Sequence, residues 1–130
     1  MNPHPLILKW LLYGGAVYFF LVAVSHMFAI KIPMLFVYFN VPSYAYQDKI
    51  ISFLSFGWSL AFLLCARNKI PPFAILAIGL IGIIGLSIVN FSTDFKAIDP
   101  QIHPAVFWWE TAALFVYWLA VLSAYKQIKK

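Results

Sequence analysis

"PFAILAIGLIGIIGLSIVNF", Pro72–Phe91, runs for twenty residues without an ionisable side chain. Crossing a hydrocarbon core of about 30 Å takes roughly 20 helical residues, so this stretch reads as a membrane span. Its apolar run is continuous and lacks the alternation of a β-barrel strand. Within lipid the backbone must satisfy its own hydrogen bonds, which makes the span a helix. Pro72 suits the first helical turn, and "RNKIPP" before it is a tight connection.

Three other stretches have the same character: Lys9–Ile30, Ile50–Ala66 and Pro104–Tyr125. The chain of 130 residues is 64% hydrophobic and only 10% charged, with a mean hydropathy of +0.89. A water-soluble domain of this length has too little interior to hide so much apolar surface. The expected fold is therefore all-α, an integral membrane four-helix bundle forming a single domain over residues 1–130. Span one is expected to be retained: only Lys9 precedes its apolar region, and no small-x-small cleavage site follows. Cys65 is the only cysteine, which excludes an internal disulfide or a CxxC site and leaves a small buried apolar residue.

Basic residues at the span ends set an expected orientation. Lys9, Arg67, Lys69, Lys126, Lys129 and Lys130 fall on one side. Lys31, Lys49 and Lys96 fall on the other, accompanied by Asp48, Asp94 and Asp99. This asymmetry places both termini in the cytoplasm, in what is expected to be a bacterial inner membrane. The net charge of +5 suits an anionic bilayer surface, with the tail "KQIKK" against the headgroups. Nucleic acid is not an expected partner, because the charges are scattered and no basic–aromatic platform exists.

Polar residues inside apolar spans cost free energy, so their positions carry information. Asp48, Ser52, Ser55 and Ser59 share one face of span two, and Ser87, Asn90 and Asp94 repeat the spacing on span three. On span four Glu110, Ala113, Tyr117, Ala120 and Ala124 form a narrow face, and on span one His26 aligns with Val22, Phe19 and Gly15. Glu110 is the one acidic group well inside a span, where an unpaired charge costs about 2.5–3.5 kcal/mol. His26 and Glu110 lie at matched depth, within about 3 Å, and an ion pair between them would lower the cost of burying both. The expected ligand-binding set is Glu110, His26, Asn90, Ser55 and Tyr117, with no catalytic residue or cofactor assigned. A metal site of His26, Glu110 and His103 is not expected, since His103 and Glu110 stand two helical turns apart. The serines are expected to bond carbonyls four residues back or to bridge helices.

Gly79, Gly82 and Gly85 recur every third residue on span three, which predicts a close helix–helix contact, with Gly57 and Ala61 as partners. Between spans one and two lies "KIPMLFVYFNVPSYAYQDK", Lys31–Lys49, too broken by Pro33 and Pro42 to cross a bilayer. Its aromatic rings favour the headgroup level. The expectation is an external interfacial cap with a short helix over Met34–Phe39. Three functions fit these features. The foremost is binding of a lipid- or quinone-like amphiphile in a polar pocket in the external half of the bundle. The second is an accessory subunit of a larger membrane complex, and the third a membrane enzyme or proton-coupled carrier using Glu110. Catalysis ranks last, because one carboxylate and one histidine make an incomplete constellation.

Overall fold

The protein is described by a computed structural model over residues 4–127. It is all-helical, with α1 (Leu6–Met27), α2 (Ala45–Ala66), α3 (Pro72–Ser92), the single turn α4 (Phe95–Ile98) and α5 (Ala105–Lys126). α1, α2, α3 and α5 are each long and apolar enough to cross a membrane. Lys129 and Lys130 of the basic tail lie outside the described residues.

α1 begins at Leu6, three residues ahead of the expected Lys9, and two further boundaries differ from the expected spans for local reasons. α1 stops at Met27 because its end is closed by paired backbone bonds, Ala29 N–H to His26 O at 3.3 Å and Ile30 N–H to Ser25 O at 2.8 Å. Ala29 takes the left-handed conformation (φ 53°) that this closure requires and that glycine usually supplies. α2 begins at Ala45, ahead of the expected Ile50. Gln47 Oε1 accepts the Tyr44 N–H at 3.4 Å, and Asp48 sits in the first turn, where the helix dipole favours an anion.

α1 packs chiefly on α2, and α3 on α5, which makes two hairpins that meet along the α1–α5 and α2–α3 seams. The hydrophobic effect does not drive helices together within lipid, so packing and hydrogen bonds must. The serine face of α2 supplies part of this. Ser52 Oγ donates to Ala23 O and Ser59 Oγ to Ala16 O, each at 2.7 Å, stitching α2 to α1. Such bonds contribute about 0.6 kcal/mol each in membrane proteins. On α3, Ser87 instead bonds Ile83 O four residues back.

At one end of the bundle Leu8 and Leu12 cluster with Phe62, Cys65, Ile75, Leu76, Val121 and Ala124, so the start of α1 meets the end of α5. At the other end Phe95, Ile102 and Phe107 form a second cluster, on which Tyr38 and Val41 of the α1–α2 connection pack. That connection thus caps the second hairpin. It contains no helix over Met34–Phe39; it runs as successive turns, and Met34 has φ 68°. The expected helix is lost because the Met34 peptide is engaged by tertiary partners, described below.

The α3 glycines also depart from expectation. They do not abut another backbone. A Cβ at Gly79 would lie 2.9 Å from Trp118 Cδ1, and one at Gly82 would lie 3.4 Å from Trp58 Cη2. The glycines therefore seat two indole rings, and Gly85 faces open space. Gly57 and Ala61 of α2 line a groove with Ile75 and Ile78, and a Cβ at Gly57 would meet nothing within 4 Å.

Two substitutions test this packing. A Cβ at Gly15 would run into the Phe62 ring and the Tyr117 hydroxyl, so Gly15→Ala is expected to destabilise by about 1–3 kcal/mol. Gly85→Ala meets nothing and is expected to be neutral or stabilising, both read from the midpoint of thermal unfolding in detergent. Ala29→Gly relieves the left-handed strain and should raise stability by about 0.5–1 kcal/mol in the same assay.

Candidate functional site

The buried polar groups gather at the capped end. Glu110, only 4% exposed, stands on the second turn of α5. Its Oε1 accepts the backbone N–H of Met34 at 2.8 Å, while the Met34 carbonyl accepts the Tyr18 hydroxyl at 2.6 Å. A single residue of the cap, through the two peptide groups that flank its Cα, is thereby held from α1 on one side and α5 on the other. Glu110 Oε2 is buried without a hydrogen-bond partner among the described residues.

The expected pairing of Glu110 with His26 does not form. His26 lies at the α1–α2 seam, where Nδ1 is 3.4 Å from Asp48 Oδ1, close but not aligned as a hydrogen bond. Phe36 of the cap stacks on the imidazole, with ring centroids 3.8 Å apart. Asp48 also accepts the Ser43 hydroxyl at 2.9 Å. Matched depth alone could not show that His26 faces α2 and Glu110 faces the cap.

Asn90 joins three elements. Its Nδ2 donates to Thr111 Oγ1 at 3.0 Å across the α3–α5 seam, and its Oδ1 accepts the Tyr38 hydroxyl at 2.9 Å. Burial pushes the Tyr38 phenol up to about 12, with the Glu110 charge acting in the same direction, so the hydroxyl stays a donor at neutral pH. Ser55 is buried on the serine face of α2. Among the described residues, no three metal-ligating side chains converge.

Between the hairpins lies a cavity of about 620 Å³, lined from all four spans. α1 contributes Gly14, Gly15 and Tyr18, and α3 contributes its three glycines. Trp58 and Phe62 of α2 and Trp118 of α5 supply aromatic walls. Of the five expected ligand residues, only Tyr117 lines this space. Glu110 stands about one turn beyond Ala113, at the cavity's capped end, and reaches the lining through Met34. His26, Asn90 and Ser55 belong to the helix seams. The sequence reading missed Tyr18, Met34 and Thr111. A helical turn separates Gly14 from Tyr18, a small-plus-aromatic face adjacent to the one read from His26, and this was the available signal.

Compared with known proteins, the chain matches no family model, no curated protein and no solved structure.

Glu110→Ala removes the acceptor of the part-buried Met34 N–H and should cost about 1–3 kcal/mol. Glu110→Gln keeps a carbonyl oxygen at the same place and should retain most of that stability. Limited proteolysis within Lys31–Tyr44 checks this: cleavage should accelerate in the alanine variant and stay near the unsubstituted rate in the glutamine variant.

Proposed function

We propose that the protein binds a lipid- or quinone-sized amphiphile in the cavity between its two hairpins, with the polar end of the ligand toward Glu110. The observation that carries this reading is the cavity itself. Its volume of about 620 Å³ falls inside the usual range for small-molecule sites, and glycines on α1 and α3 make the room. An apolar space of this size between membrane helices forfeits dispersion contacts unless a molecule fills it. The chain sits in this reading in a bacterial inner membrane with both termini cytoplasmic. Lys9, Arg67, Lys69 and Lys126 at the Leu8 end, against Lys31, Lys49 and Lys96 at the capped end, support that orientation. The aromatic cap then lies in the external interface.

Native mass spectrometry of the chain, extracted gently from its own membrane, tests the reading. A single chain carrying one small molecule is expected. Gly85→Leu places a side chain in open space on the lining, so occupancy should fall about tenfold, equivalent to about 1.4 kcal/mol, with the fold retained. A larger protein assembly without a small molecule, unchanged by Gly85→Leu, would contradict pocket binding and make the protein an accessory subunit.

A further inference from the structure

The cavity is bridged at two levels between α1 and α5, and its lining is exposed at Gly14 and Ala113, at Gly85 of α3 and at Met34 of the cap. Toward Leu8, the Tyr117 hydroxyl donates to Leu11 O at 2.8 Å and bolts α5 to α1. At the capped end, Tyr18, the Met34 peptide and Glu110 bridge the same two helices. On the α2–α3 side, Trp58 and Phe62 wall the cavity from a shallower groove of about 290 Å³. Between the two α1–α5 bridges, however, the lining residues Gly14 and Ala113 are exposed. Neither carries an atom beyond Cβ, and a Cβ added to Gly14 meets nothing within 4 Å. From Glu110 to Tyr117, α5 rises about 10 Å, which is the height of the gap.

The position and lining of this gap define what can pass. Gly14 and Ala113 each lie near the middle of a 22-residue helix, level with the hydrocarbon core if those helices span it. Among the described residues, no charged side chain lines the cavity. Both tyrosine hydroxyls there are already committed to backbone carbonyls, and the Trp118 indole N–H donates to Leu76 O at 2.8 Å. A polar ring or headgroup would find few partners inside, whereas a hydrocarbon chain needs none.

We propose that the gap between α1 and α5 is a lateral window through which the acyl chain of a bilayer lipid enters the cavity, its headgroup remaining outside on the Glu110 side. This rests on the cavity-binding reading and narrows its ligand to a lipid chain taken from the membrane rather than from water.

The test is photo-crosslinking in vesicles of phosphatidylcholine carrying a mid-chain diazirine, with adducts mapped by peptide mass spectrometry. Leu86 and Leu114 report on the cavity, and the outward-facing Ile88 and Val116 of the same helices report on bulk lipid. Adducts are expected on all four. In Gly14→Leu/Ala113→Leu, those on Leu86 and Leu114 should fall about tenfold relative to Ile88 and Val116. Ala113→Leu alone should show the same selective loss, should the double variant fail to fold. Cavity adducts that persist undiminished in a folded variant overturn the window. Their absence from the unsubstituted protein overturns the lipid-chain occupant. Neither outcome bears on whether the extracted chain carries a small molecule, so failure of the window and failure of the binding reading are distinguishable.

Discussion

The backbone of Met34, gripped by Tyr18 through its carbonyl and by Glu110 through its N–H, makes the interaction on which the capped end depends. Backbone polar groups near lipid must find partners, and here two side chains from opposite hairpins supply them. The left-handed backbone at Met34 is the local cost of presenting both polar groups inward. The reward is that one short connection, already covalently part of the first hairpin, becomes fastened to the second. Tyr38 repeats the device a few residues on, through Asn90 and the Phe95–Phe107 cluster.

With that fastening at one end and the Leu8 cluster at the other, the hairpins are held together where they are bridged and are free to stand apart between. Within each hairpin, seams are closed by Ser52 and Ser59 or by Asn90 and Thr111. Between hairpins, the middle of α3 offers glycines, and the two indoles set against them do not fill the space. The cavity is thus a consequence of where the bridges fall and where side chains are missing. Its chemistry follows from the same facts: polar groups are consumed in making the bridges, and what remains on the walls is aromatic or aliphatic.

Much of this arrangement was legible in the sequence. Four apolar runs gave four long helices, Pro72 opened α3, and the serine face of α2 bridges helices as one of its two expected readings required. The polar character of Glu110 marked a real junction. Its partner was not legible, because that partner is a backbone N–H in a turn, and spacing among side chains says nothing about backbone groups. The same limit hid the Met34 conformation and turned the expected short helix into turns. The glycine repeat of α3 was seen, but a small residue accommodates a neighbouring backbone and a neighbouring indole equally well. Only packing distinguishes Trp58 and Trp118 from a second helix as the occupant of that space.

The most direct test of the account is an electron-microscopy map of the chain in a lipid nanodisc, with an antibody fragment to give it mass. Elongated non-protein density is expected between the hairpins, bounded by Tyr18, Trp58, Tyr117 and Trp118, with the Met34 N–H against Glu110. Hairpins closed upon one another, with the two indoles filling the centre and no room left between them, would contradict it.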